Sequence, residues 1–279
     1  MGLMMKNVKT IALATALAAT AAMSAPTFAA DRGEDIHAGD YSWMQFNYMY
    51  AFDELPGEGS HDYLEMEFGG RAGIVDLYGY VDVFNPSERP DSDKSGSPKM
   101  FMKFNPRFSI DAMTGMDLSA GPIQEVYIST LFNWGGGDAN LYGQGAGDVN
   151  NASIGIGADV MVPWFGKVSV NLYKYYEIQA KAWNGYQFSM NWFKPFINFD
   201  NGSFISYQGY LDYQFASDDD FSDSQASAGG VMFNGLYWHS ENFALGYGLK
   251  SFKDVYLIKD SDGFKSSGFS HYVSATYKF

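Results

Sequence analysis

Carboxylates and tyrosines recur at every second position along this chain: Glu65 and Glu67, then Asp76, Tyr78, Tyr80 and Asp82, then Glu125 and Tyr127, then Tyr210 and Asp212. Lys103 and Arg107 share that spacing on another segment, as do Trp43, Gln45 and Asn47, and Tyr173 alternates with Lys167, Ser169 and Asn171 two to six residues upstream. Period two places each set on one face of an extended strand. Such faces could bind a small, planar, polar solute. A ring stacked on an aromatic side chain gains about 1–3 kcal/mol, and amides and carboxylates bond to hydroxyls and polar edges. Binding of that strength suits passage, since a site on a path must also release. The same groups could instead brace an interior by hydrogen bonding and fill it. Lys103 and Arg107, on one wall with many acids about them, are expected to pair with those acids rather than to draw anions.

Other chemistries find less in the sequence. A serine hydrolase needs Ser and His on one face with a third group to orient the base. The four histidines are His37, His61, His239 and His271; Ser240 and Ser270 adjoin two of them, but adjacent strand residues point to opposite faces. His61 reads as part of an outer loop. No enzyme activity is expected. Asp218, Asp219, Asp220 and Asp223 form an acid run, and Asp138 and Asp148 flank a Gly-rich stretch, without the spacing of a calcium loop. The GQGAG at Gly143 follows no strand-to-helix pattern and is no nucleotide loop. No metal and no cofactor are expected.

The elements that must carry these faces are strands. About twelve period-two stretches, separated by Gly, Asp, Asn, Pro and Ser clusters, fill the chain. Opposite the polar faces lie Met44, Phe46, Tyr48, Tyr50 and Phe52; Val75, Leu77, Val81 and Val83; Met100, Met102, Phe104, Phe108 and Ile110; and Val126, Ile128, Phe132 and Trp134. The stretches near Tyr186–Phe193 and Val231–Trp238 do not sort cleanly. Many run to ten residues or more and end in aromatics, the length that crosses a bilayer at a tilt of ~45° between aromatic girdles. Lipid cannot satisfy a sheet edge, so such strands close into a barrel. The expected fold is all-β, a transmembrane antiparallel up-and-down barrel of about twelve strands. Short segments such as 69–73, 162–166 and 239–242 would face the periplasm; the longer 85–99, 135–151, 216–229 and 254–267 would face outward. Twelve strands give a barrel wider than the eight-stranded kind that side chains fill, so a narrow slot is expected along the axis.

The two chain ends supply the compartment. Residues 1–29 begin with two lysines and no acid, continue through an Ala/Leu-rich run and close on small residues at Thr27-Phe28-Ala29: a secretory signal peptide, leaving 30–279 as one barrel domain. The chain has no cysteine, while 18% of it is aromatic and acids outnumber bases 32 to 18. A surface so acidic repels phosphate backbones, so no nucleic acid is expected as a partner. At the far end Phe269, His271, Val273, Ala275, Tyr277 and Phe279 share a face, and a terminal Phe behind alternating apolar residues resembles the signal that outer-membrane barrels present to their insertion machinery.

With these residues in hand, the sequence resembles the Tsx/OmpK family of nucleoside-specific outer-membrane channels, and more closely its OmpK branch. The resemblance rests on WMQFNYMYAFDELPGEGSHDYLEMEFGGRAGIVDLYGYVDVFN, DVMVPWFGKVSVNLY, WNGYQFSMNWFKPF, NGSFISYQGYLDYQF and HYVSATYKF, and it spans essentially the whole of 30–279. It implies a narrow, monomeric, multi-pass barrel in the outer membrane of a Gram-negative bacterium, passing nucleosides and touching lipid and lipopolysaccharide. Some members serve as bacteriophage receptors, so a structural or adhesion barrel with little nucleoside selectivity is the alternative. Nucleosides are neutral, whereas a phosphate would meet repulsion among the carboxylates, so selection of nucleosides over nucleotides is expected.

Overall fold

The computed structural model describes residues 35–136, 149–178, 180–218 and 225–279. The leader expected at 1–29, the GQGAG stretch with Asp138 and Asp148, and Asp219, Asp220 and Asp223 lie outside these residues. Twelve strands occur within them: β1 (Tyr41–Glu54), β2 (Gly59–Ala72), β3 (Val75–Phe84), β4 (Met100–Ser109), β5 (Ile123–Gly136) and β6 (Asn150–Val162). They continue as β7 (Gly166–Glu177), β8 (Ala182–Asn198), β9 (Phe204–Phe215), β10 (Gly229–His239), β11 (Phe243–Lys253) and β12 (Gly268–Lys278). Each pairs antiparallel with its neighbours in sequence, and β1 closes the barrel on β12, from Gln45 opposite Lys278 to Phe52 opposite His271.

The exterior is the apolar face the alternation predicts. Tyr48, Ile156, Leu245, Phe269 and Tyr277 are exposed there, while Gln45, Asn47, Glu65, Glu67 and Asp82 are buried inside. Phe279 finishes the outer aromatic surface, with its ring edge-on to Tyr277 at 5.0 Å and to Phe46 at 5.7 Å between centroids. The strands cross in alternate directions, so the termini share one end, here called the terminal end, and the opposite one is the loop end.

Turns at the terminal end are short except one. Between β4 and β5 the chain forms a one-turn helix, α1 (Ile110–Thr114), and a loop to Pro122. Ile110, expected on the fourth strand, belongs with Asp111 to this helix because Ser109 caps it, its Oγ accepting the Ala112 N–H at 3.1 Å. Asp111 then holds the loop by accepting N–H groups of Leu118 and Val126. At the loop end, 55–58 and 178–181 are short, and 85–99 and 254–267 are long. Several sequence expectations fail at strand ends: His239, expected in the 239–242 turn, closes β10 and is fully buried. Arg71 is not in a turn but on the β2 ladder opposite Asp76, and His61 is not in a loop but on β2, fully buried. In both places the ladder runs further than the flanking Gly and Ser residues suggest.

The two unsorted stretches also resolve. On β8, Gln187, Ser189 and Phe193 are buried in the interior, and Tyr186 is exposed on the outside. On β10, Val231, Phe233, Tyr237 and His239 are buried inside, and Leu236 and Trp238 are exposed. Large apolar residues therefore occupy both faces of β10, which is why its pattern reads ambiguously. The inward rings lie flat on glycines of β11: a Cβ on Gly248 would sit 2.2 Å from the Phe233 ring, and one on Gly246 would sit 2.1 Å from Tyr237. These glycines give the rings a wall to rest on.

This generates a test of the fold. Gly248→Val must displace Phe233 and is expected to destabilise the barrel by about 1–3 kcal/mol. Gly263→Ala, in open space, is expected to leave stability unchanged. The midpoint at which the folded band is lost on heating in detergent compares them; equal midpoints would contradict the packing described.

Candidate functional site in the lumen

The polar and aromatic candidates on the strand faces opposite the exposed apolar residues are shielded from solvent. Trp43, Asp76 and Tyr78 are half-buried, and Gln45, Asn47, Glu65, Glu67, Tyr80, Asp82, Lys103, Arg107, Glu125, Tyr127, Tyr173, Tyr210 and Asp212 are buried. Side chains on facing walls reach each other across the interior, as Lys103 on β4 and Asp212 on β9 do.

The charges are organised as linked pairs. Near the middle, Lys103 Nζ on β4 meets Asp212 on β9 at 2.9 Å, joining strands that are not neighbours in the sheet. Asp212 also accepts from Ser189 Oγ and, at 3.3 Å, from Gln187. Toward the terminal end, Arg107 bridges Asp76 at 2.7 Å and Asp159 at 2.9 Å, with its guanidinium 4.1 Å from the Tyr127 ring centroid. Lys167 reaches Asp159 at 3.1 Å, and Arg71 is paired with Glu125, which also accepts from Ser109 and Tyr127. The pairing expected for Lys103 and Arg107 is therefore present.

Acids on the wall of β1–β3 are held differently. Glu67 accepts from three neutral donors, Gln45 at 2.5 Å, Asn47 at 3.1 Å and Tyr78 at 2.9 Å, while Asn47 also donates to Glu65 at 2.6 Å. Toward the loop end, Glu54 accepts from Lys250 at 3.0 Å and Tyr272 at 2.7 Å, and His61 Nε2 lies 3.2 Å away. Glu54, Lys250, Tyr272, Tyr63 and Arg71 were not among the candidates. Tyr63 continues the alternation of Glu65 and Glu67, and Lys250 that of Gly246 and Gly248, so a period-two count reaches both; Glu54 shares the parity of Met44 to Phe52 and is buried only because the register shifts between Ala51 and Glu54.

A cavity of about 40 Å³ opens beside the Lys103–Asp212 bridge, lined by Tyr78, Tyr80, Asn105, Tyr173, Asn191 and Tyr210 among others. That is room for a few waters. Tyr80 on β3 and Tyr210 on β9 face it from opposite walls, and the hydroxyl of each is buried without a hydrogen-bond partner among the described residues. Tyr173 is committed, bonding Asn105 and Ser129 at 3.0 Å each. Tyr210 stacks on Phe233, 5.9 Å between centroids and 12° between planes.

A serine–histidine contact exists here that sequence adjacency did not indicate: Ser206 Oγ lies 2.9 Å from His239 Nε2 across β9 and β10. Both are fully buried. His239 Nδ1 has no orienting partner among the described residues, and its ring stacks on Phe204 at 4.5 Å. The pair is packed as an interior contact without the third member of a triad.

Comparison with known proteins places the chain. The sequence profile of the family described as nucleoside-specific channel-forming protein, Tsx, matches residues 38–279. Outer membrane protein OmpK of Vibrio parahaemolyticus serotype O3:K6 is 65% identical over 265 residues, covering 95% of this chain and 98% of that protein. The nucleoside-specific channel-forming protein Tsx of Salmonella typhimurium is 30% identical over 247 residues, covering 82% and 83%. Among solved structures, the NanC porin aligns over 85% of this chain and all of its own, with 6% identity and a TM-score of 0.49. This chain belongs to the Tsx family of nucleoside-specific channel-forming proteins and is a twelve-stranded, multi-pass barrel of the outer membrane.

Proposed function

We propose that the barrel passes nucleosides by passive diffusion, with Tyr80 and Tyr210 as the rings between which the base moves and Lys103 and Asp212 as the polar pair at its edge. One observation carries this reading: two buried tyrosines with unpaired hydroxyls face one cavity from opposite walls. A buried, unpartnered hydroxyl is costly. A solute offering a polar edge relieves it while its π-face stacks on the ring.

Selection against nucleotides follows from how the lumen charges are disposed. Lys103, Arg107, Arg71, Lys167 and Lys250 are each held by a carboxylate. A phosphate entering would compete with those carboxylates and pass Glu67, which has neutral donors about it. A neutral nucleoside needs no exchange of charge. The remaining lumen residues, Trp43, Gln45, Asn47, Glu65, Asp76, Asp82, Glu125, Tyr127 and Tyr173 among them, supply further polar and stacking contacts along the path. The exposed face Val273, Ala275, Tyr277 and Phe279 serves as the insertion signal, and residues 1–29 direct export. Passage places the loop end outside the cell and the terminal end in the periplasm.

Three measurements test this. In planar bilayers adenosine is expected to block the current at concentrations at least tenfold below its monophosphate; equal block would sink the selectivity. Tyr80→Ala and Tyr210→Ala are expected to weaken adenosine block about tenfold or more while the folded band on unheated gels persists. Unchanged block would mean that these rings only brace the barrel. Removing Phe279 is expected to lower the amount of folded barrel in outer-membrane fractions severalfold, and a wild-type yield would remove its role in insertion.

A further inference from the structure

Interior side chains just below the loop-end mouth are shut off from solvent. Toward the loop end Tyr63, His61 and Lys250 are 0% exposed and Tyr272 is 1% exposed, although all face the interior of a barrel whose mouth lies just beyond them. Something covers that mouth.

The cover is the connection between β11 and β12, residues 254–267. Its first residues form a 3-10 turn, Val255–Leu257, that carries Val255 and Leu257 into the barrel opening, where they are 1% and 7% exposed. Val255 belongs to one apolar cluster with Leu55, Phe84, Phe101, Phe252 and Tyr272, and Tyr256 packs on it. Beyond the turn the strap is tied to both sides of the rim. The Ala226 N–H donates to the Leu257 carbonyl at 2.7 Å, on the β9–β10 side; the Gly57 N–H donates to the Lys265 carbonyl at 2.8 Å, in the β1–β2 turn. Lys94, from the β3–β4 loop, lies over the Phe84 ring at 5.1 Å and adds to the cover.

The arrangement has two opposed tendencies. Apolar burial holds the turn down. Against it, Asp254, Tyr256 and Leu257 have φ of +42°, +59° and +60°, left-handed conformations that non-glycine residues adopt at a cost. Glu54, His61 and Lys250 beneath are cut off from water, and opening would hydrate them. Within the strap Asp260 accepts the N–H groups of Ser266 and Ser267 at 2.8 and 2.9 Å, so the far limb keeps its shape. The backbone N–H of Ser266, then that of Ser267, holds the Asp260 carboxyl below its ordinary pKa. Gly268, at φ +151°, joins this limb to β12.

We propose that residues 254–267 are a gate: an apolar plug at Val255 and Leu257 seals the outer mouth, and release of the strap from the rim opens it. The seal acts on any solute, ions included, so it can be read without nucleosides and independently of the selectivity argued above.

The chain has no cysteine, which makes the strap easy to lock. Gln225 and Ile258 face each other in an isolated antiparallel bridge between strap and rim, a pairing close enough for a disulfide. In potassium chloride alone, the oxidised Gln225→Cys/Ile258→Cys barrel is expected to carry at least fivefold less time-averaged current than its reduced form, with recovery on reduction. Val255→Ser together with Leu257→Ser is expected to raise the current severalfold, in protein that still runs as a folded band. A locked barrel conducting like its reduced form, or a serine pair with wild-type current, overturns the gate. Normal gating with no adenosine block would leave it standing and remove the nucleoside reading instead.

Discussion

A sheet surrounded by hydrocarbon has nowhere to place an unpaired backbone amide, and the rest of this molecule follows from that. Closure of β1 on β12 satisfies the last edge, and alternation then forces each strand to send every second side chain outward into lipid and the next inward. Inward positions cannot simply be greasy, since a continuous apolar interior would pass nothing polar. They are filled instead with carboxylates, amides, tyrosines and a few cations, and the buried cations are matched in turn by carboxylates. Burying one member of an ion pair without the other costs several kcal/mol. The paired ladder of Lys103–Asp212, Arg107–Asp159 and Arg71–Glu125 is the interior consequence of an exterior constraint.

Bracing and passage are therefore not rival descriptions of the same side chains. A bridge such as Lys103–Asp212 ties walls that share no backbone hydrogen bonds, which stiffens the barrel across its width. It also stands beside the cavity, where a solute with adjacent donor and acceptor could take over both partners in turn. A dry, fully apolar brace would hold the walls as well but could not be exchanged in that way. On the proposed reading neutralised cations would serve both roles, since they hold the walls and would leave little positive field to trap phosphate.

The sequence makes the barrel legible because period two is strict wherever lipid lies on one side and polar groups on the other. Met44 to Phe52 could be sorted at sight, and the inward set from Trp43 to Asp212 is where the alternation puts it. Legibility fails where the two faces are chemically alike. Strand β10 carries Phe233 and Tyr237 inside and Leu236 and Trp238 outside, and what distinguishes them is glycine on the neighbouring strand, a long-range fact that no window on β10 contains. Arg71 and His61 were misplaced for a similar reason: Gly and Ser near them look like turn signals, but the partner strand continues the ladder. The packing of the interior was least visible, since strand number sets a circumference while the reach of tyrosine, arginine and lysine from facing walls decides what is left open.

Those glycines also explain why the lumen is asymmetric. On β11, Gly246 and Gly248 recess the wall so that Tyr237 and Phe233 lie flat against it, and further round the barrel, beyond β12, β1–β3 carry Gln45, Asn47, Glu65, Glu67 and Asp82. On the proposed reading, a flat aromatic surface beside a row of acids and amides would sort a solute by orientation, its π-face against one and its hydroxyls and ring nitrogens toward the other. Had β11 carried Val or Leu at these positions, the rings would stand up into the interior and close the gap between the walls. The amount of room in the barrel is thus set less by the large residues that line it than by the small ones behind them.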